Sequence, residues 1–291
     1  MSAAPSPSDR TRLPPGAAGL QPVRAHGRVS VGFKHENGRT RLASLSEADG
    51  YRVKFPRTAG PAEAVIINTG GGMAGGDSLE ASISCGDAAR AVISTQSAEK
   101  IYRCEADETA VSVRIDVAAG AALDWLPQET ILFSGARLKR TLEVSMQVSS
   151  RLLIAEAIIF GRVHSGEILG EGSIRDTWRI RRDGKLIFAD NLALRGNLAE
   201  LMARPAVGGG ARAIATVLLI GAGAEAQLET ARSSLACGPG LAGSGVASGA
   251  SAWNGMLIIR FAAADPALLR QAMAGALNAI RDEPLPRVWQ C

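Results

Sequence analysis

The 291-residue chain is 46% hydrophobic, which excludes an intrinsically disordered polymer and is ample for a core in one large all-β domain or two modest ones. Its formal charge of +4, from 32 basic and 28 acidic side chains, is an ordinary excess. With two tyrosines and no aromatic-interleaved basic stretch, the composition argues against a nucleic-acid partner.

Taken in order, residues 1–22 are rich in Pro, Ala and Ser, carry Arg10 and Arg12, and lead into no unbroken apolar stretch. They read as a disordered tail and not as a secretory signal. Val65-Ile66-Ile67 reads as a strand leading into the glycine run Asn68-Thr69-Gly70-Gly71-Gly72-Met73-Ala74-Gly75-Gly76-Asp77. Leu79, Ala81, Ile83 and Cys85 then alternate with polar residues, the period of another strand. Residues 90–95 and 178–182 read similarly. Residues 111–117 and 142–148 alternate cleanly, predicting half-buried antiparallel strands. Residues 154–160 and 214–220 are apolar but far short of a bilayer span, so a soluble, cytoplasmic protein with no membrane partner is expected. Asp183-Gly184 predicts a hairpin turn. Strand ends at Gly86 and Gly120, each followed by a small-residue turn and a new apolar stretch, form a faint internal echo of strands coiled in layers.

Two helices are predicted late in the chain. Residues 222–236 lack β-branched runs. The second begins at Asp265 as N-cap with Pro266 at the first helical position, and Leu269, Met273, Ala276, Leu277 and Ile280 share its apolar face. Pro284 stops it. The intervening residues 237–252, rich in Gly, Ser and Ala, read as a mobile loop.

The glycine run imitates a phosphate loop. Gly70, Gly72 and Gly75 satisfy G-x-G-x-x-G, but a dinucleotide site needs a helix to open there, and a strand follows. Gly71 and Gly76 have P-loop spacing, but Asp77 stands where that motif needs lysine. An enzyme binding a phosphorylated or nucleotide ligand at this turn is therefore the alternative reading and not the leading one. Cys85, Cys104, Cys237 and Cys291 make no C-x-x-C pair, and His26, His35 and His164 are dispersed. His164 has no visible catalytic partner and reads as a loop residue.

The acids are more informative. Glu156 interrupts the apolar run Leu152-Leu153-Ile154-Ala155-Glu156-Ala157-Ile158-Ile159-Phe160. A carboxylate there must be paired, protonated or wet, because burying it bare is costly. It is either half of a structural ion pair with arginine or the lining of an internal polar passage. Asp190 repeats the theme within residues 186–192, Glu99 precedes Lys100-Ile101, and Asp77 ends the glycine turn, where an Asx-type turn role is the alternative. Arg137, Lys139 and Arg140, with Arg175, Arg179, Arg181 and Arg182, form basic stretches. These read as a solvated strand face or as a docking surface for an acidic protein.

Several separate motifs in one order carry a family resemblance: the glycine run, residues 95–103, Asp124-Trp125-Leu126-Pro127-Gln128-Glu129, Gly135-Ala136-Arg137, Gly161-Arg162 with Gly166-Glu167, Arg175-Asp176 with Trp178, and the terminal Leu285-Pro286-Arg287-Val288-Trp289. Together they resemble the urease accessory proteins UreD, called UreH in some bacteria, over roughly residues 23–289. The resemblance implies one UreD-like domain over 23–291 and a mainly β fold. That fold is a layered superhelix of antiparallel or mixed strands, with two α-helices in the C-terminal third. It also implies a cytoplasmic scaffold that is not an enzyme, holds no tight cofactor, and binds apo-urease. With UreF and the GTPase UreG, such a scaffold delivers nickel through an internal channel. A conduit needs weak oxygen ligands, because an ion must leave as readily as it enters. Asp77, Glu99, Glu156 and Asp190 are the expected nickel path, as transient and not stable ligands. Glu99 stands where relatives often carry a small residue.

Overall fold

A computed structural model describes residues 24–105, 107–162, 166–167, 169–237 and 245–290. The expected tail at 1–22 and His164 lie outside them. In chain order the described residues form β1 (His26–Glu36), β2 (Arg39–Ala48), β3 (Tyr51–Lys54), β4 (Ala62–Asn68), β5 (Ser78–Cys85), β6 (Arg90–Thr95), β7 (Glu99–Ile101), β8 (Thr109–Val117) and β9 (Ala122–Leu126). Then come β10 (Thr130–Leu132), β11 (Arg137–Met146), β12 (Arg151–Phe160), β13 (Glu171–Arg182), β14 (Lys185–Asn197) and α1 (Leu198–Ala203). β15 (Ala213–Ile220), α2 (Leu228–Cys237), β16 (Val246–Trp253), β17 (Met256–Ala263) and α3 (Pro266–Ile280) complete the order.

The strands coil between two sheets. One has the order β14-β13-β11-β8-β5-β1-β2; the other runs β16-β17-β15-β12-β9-β6-β4-β3, with β10 paired to β12 and β7 to β10. Each coil leaves the first sheet for the second, so β5, β8 and β11 stack in parallel on one side, and β6, β9 and β12 on the other. The echo at Gly86 and Gly120 marks two of these crossings. Ile83, Ile115 and Val144 share one register row. Ile93, Trp125 and Ile154 share a row on the second sheet, and all six lie in one buried cluster. Each buried aliphatic side chain of such a row contributes about 1.5–3 kcal/mol.

Residues 111–117 and 142–146 are strands as predicted, but their neighbours are parallel, not antiparallel. Alternation reports only that one face is wet. Parallel sheets usually lose it because helices cover both faces. Here the coils need no crossover helix over the first sheet, so Arg114, Lys139 and Arg175 on its outer face stay exposed.

Among the described residues there are three α-helices, one more than expected. α1 is capped by Asn197, whose Oδ1 accepts the Glu200 N–H at 3.2 Å while its Nδ2 donates to Glu200 Oε1 at 2.8 Å. That reciprocal cap is readable as Asn-x-x-Glu. α2 starts at Leu228 after a 3-10 turn at Glu225–Gln227, later than the sequence suggests. α3 matches its expectation: Asp265 Oδ1 accepts the Ala267 N–H at 2.8 Å. Its face of Leu269, Met273, Ala276, Leu277 and Ile280 packs over β15 and β17, in one buried cluster with Ala215, Val217, Leu257 and Ile259. Of residues 237–252, expected to be loop, 238–244 lie outside the described residues, and 246–252 belong to β16. Its register with β17 runs unbroken from Val246↔Ala263 to Trp253↔Met256, so pairing overrides weak β-propensity. No described helix is long and apolar enough to cross a membrane.

Candidate functional site

The apolar rows stop at one level of the core. In the first sheet, Arg140 and Asp176 are register partners beside Val111 and Leu79. Both are in phase with apolar neighbours: Leu138-Arg140-Leu142 on β11 and Ile174-Asp176-Trp178 on β13. They therefore point inward. Opposite them on β12, Glu156 follows Ile154 on the same face. All three are buried, between 5% and 7% exposed.

Arg140 donates to Asp176 through two parallel bonds, Nε to Oδ1 at 2.9 Å and Nη2 to Oδ2 at 2.6 Å, and its Nη1 donates to Thr130 Oγ1 at 3.2 Å. Glu156 Oε1 accepts the Trp125 indole N–H at 2.8 Å. Glu156 Oε2 lies 3.0 Å from Arg140 Nη2 but without hydrogen-bond geometry, and among the described residues no other group satisfies it. Burial pushes the Glu156 carboxyl up; Arg140 draws it down, and the Asp176 charge raises it again. Burial opposes the charge on Arg140, but Asp176 and Glu156 hold the guanidinium firmly protonated.

Two cavities share Arg140 and Glu156 in their walls. One, of about 80 Å³, is lined by Glu99, Asn68, Tyr51, Thr130, Arg140 and Glu156 among apolar neighbours. The other, of about 130 Å³, is lined by Arg140, Glu156, Asp176, Asp190, Thr216 and Arg260, among others. Each has room for several waters. Glu99 stands in the first cavity: its Oε1 accepts from Asn68 Nδ2 at 2.9 Å, and the Tyr51 hydroxyl lies 3.5 Å from Oε2. Burial pushes the Glu99 carboxyl up to about 7 against these two donors. Asp190 lines the second, where its Oδ2 accepts from Arg260 Nη2 at 2.7 Å and its Oδ1 from the Asn191 N–H at 2.9 Å.

The structure thus places Glu99 and Asp190 on two separate cavities that share Glu156 in their walls. Asp77 stands apart. Its Oδ1 accepts the Ala25 N–H at 2.9 Å and its Oδ2 the Ala74 N–H at 2.7 Å, so it closes the glycine turn. That turn leads into β5 and not into a helix, while Gly71 lines the first cavity. Arg140 leaves the basic stretches altogether. Arg137, Lys139, Arg175 and Arg181 face outward as expected, whereas Arg140 is core. Sequence reasoning missed the inward role of Arg140 and Asp176. The available signal was a charge in phase with the apolar period, not its neighbours in sequence.

A second buried charge cluster lies behind β9. Asp124 accepts from Arg151 Nη1 at 2.8 Å and from Arg281 Nε at 2.9 Å. Nearby, Arg270 pairs with Glu129, and Trp289 donates its indole N–H to the Leu126 carbonyl at 3.0 Å. Residues 124–129 and 285–289, quoted separately from the sequence, are thus one contact.

A family model described as "UreD urease accessory protein" matches residues 25–290. A "Urease accessory protein UreD" of Xanthobacter autotrophicus is 45% identical over 266 residues, covering 91% of this chain and 90% of the relative. One from a Methylobacterium species is 44% identical, with coverages of 92% and 95%. Another, from Rhizobium johnstonii, is 44% identical, with coverages of 94% and 98%. A match across nearly the whole chain at these identities places it in a family: the chain belongs to the UreD urease accessory proteins.

Proposed function

We propose that this accessory protein is a non-enzymatic scaffold that binds apo-urease and, with UreF and through it the GTPase UreG, delivers nickel to the urease active site. Nickel is cargo in transit, not a resident cofactor. The work is cytoplasmic and involves neither nucleic acid nor membrane.

The observation that carries the reading is a pair of cavities with Glu156 in the wall of both, one of whose buried oxygens is unsatisfied. Glu99, Glu156 and Asp190 supply carboxylate stations from one end to the other, and Asp77 fixes the turn that shapes the first cavity's edge. Carboxylate, carbonyl and water ligands hold nickel more loosely than thiolate or imidazole, which suits release. The buried thiols Cys85 and Cys104 line neither cavity.

Reconstitution tests the reading. Apo-urease, UreF, UreG, GTP and nickel are combined with the wild-type chain or with Glu156→Leu. The variant is expected to join the complex and leave urease inactive. Full activation by a folded Glu156→Leu chain rules out the passage. Normal urease maturation in cells lacking this chain rules out the scaffold as well.

A further inference from the structure

The junction between the cavities carries an inference that rests on the nickel passage proposed above. One nitrogen, Arg140 Nη2, lies between Asp176 Oδ2 at 2.6 Å and Glu156 Oε2 at 3.0 Å. The two carboxylates come from opposite sheets, β13 and β12. The guanidinium's hydrogen bonds go to Asp176 and Thr130, and none goes to Glu156. Trp125 engages only the other Glu156 oxygen. Oε2 is therefore a spare carboxylate ligand, on a buried residue in the shared wall of the two cavities.

Imagine a divalent ion in place of Nη2. It would have Asp176 and Glu156 as ligands together, the Thr130 hydroxyl nearby, and cavity water for its remaining positions. Hard oxygen sites of this kind retain divalent ions, and the attraction strengthens as the surroundings dry. An ion held that way does not move on. A guanidinium stays charged at every working pH, so it cancels one carboxylate permanently.

We propose that Arg140 is an anti-trapping residue: it fills the place where Glu156 and Asp176 would jointly hold a divalent cation, leaving a passing ion Glu156 alone. One carboxylate attracts the ion; two would keep it. Arg140 also divides the passage into two chambers, so the ion crosses by changing partners at Glu156.

Nickel retention by the full-length isolated chain tests this without urease, and so independently of the passage itself. Wild type, Arg140→Met, Arg140→Gln, Arg140→Lys and Arg140→Met/Glu156→Gln are loaded with Ni²⁺, passed through gel filtration and assayed for metal. Arg140→Met and Arg140→Gln are expected to keep roughly one ion per chain and to bind it about tenfold or more tightly than wild type. Arg140→Lys, which keeps the charge, should behave as wild type, and the double variant should lose the ion. A neutral variant that is soluble only with Ni²⁺ present supports the proposal, because the ion then supplies the missing positive charge. The proposal is overturned if wild type itself retains the ion or if the neutral variants bind no tighter than wild type. It also falls if the double variant binds as well as the single, if Arg140→Lys traps nickel, or if the neutral variants are insoluble with and without Ni²⁺.

Discussion

Two buried arginine–carboxylate clusters sit in this fold, one closed and one open. Around Asp124, each carboxylate oxygen holds an arginine, and Arg281 Nη1 donates to the carbonyls of Glu283 and Pro284 at 3.0 and 2.8 Å. That cluster ties β9 and β12 to the segment after α3. Around Arg140 the same residue types leave Glu156 Oε2 unsatisfied, with a cavity on either side. Burial does not separate them, since Asp124 is 7% exposed and Glu156 5%. What separates them is the unsatisfied atom and the space beside it. A buried ion pair is by itself weak grounds for a site. Incomplete satisfaction next to a cavity is the more discriminating feature.

The largest effect should come from breaking the closed cluster. Asp124→Ala leaves Arg281 and Arg151 without their carboxylate, and a loss of about 3–5 kcal/mol is expected in urea denaturation. A loss below about 1 kcal/mol would mean that Asp124 does not staple the C-terminal segment.

A pH test sharpens the contrast on the open side. Burial raises Glu99 from 4.5 to about 7, so the folded chain binds this proton more tightly than the unfolded chain does. The sign follows: stability falls as pH rises through that window, and the loss is complete above it, on the order of 3 kcal/mol. Glu99→Gln removes the slope. Unfolding midpoints at about pH 5 and about pH 8 should therefore show the advantage of wild type over the variant shrinking as pH rises. A difference that stays constant with pH contradicts the assigned burial effect.

Asp265→Ala serves as a reference outside both clusters. Losing the α3 N-cap should cost about 1 kcal/mol and leave nickel delivery intact. The smallest effect is expected for Glu156→Gln, within about 1 kcal/mol, because Asp176 still holds Arg140 and the amide oxygen still accepts from Trp125. A loss of several kcal/mol would place Glu156 with Asp124, as a staple.

Much of the fold was legible because strands announce themselves by period. β5, β8 and β11 carry that pattern plainly, and α3 carries its cap, its proline and its apolar face. Strand direction was not legible, because alternation reports a wet face and the coils leave one exposed in a parallel sheet. β16 was hidden because Ser, Gly and Ala earn no local preference for a strand; pairing with β17 decides it. Glu156 was visible as a charge inside a greasy run. Arg140 and Asp176 were obscured by their polar neighbours Lys139 and Arg175, which face the opposite way. The link between Gln128, Arg270 and Trp289 joins distant segments, and no local pattern announces it.

The most direct measurement is the nickel content of urease recovered from its complex with UreF, UreG and either the wild-type chain or Glu156→Gln. Equal complex yield with nickel-poor urease from the variant is the predicted result. Fully loaded urease from the variant complex would mean that no ion passes Glu156, and that its spare oxygen is a packing fault and not a way station.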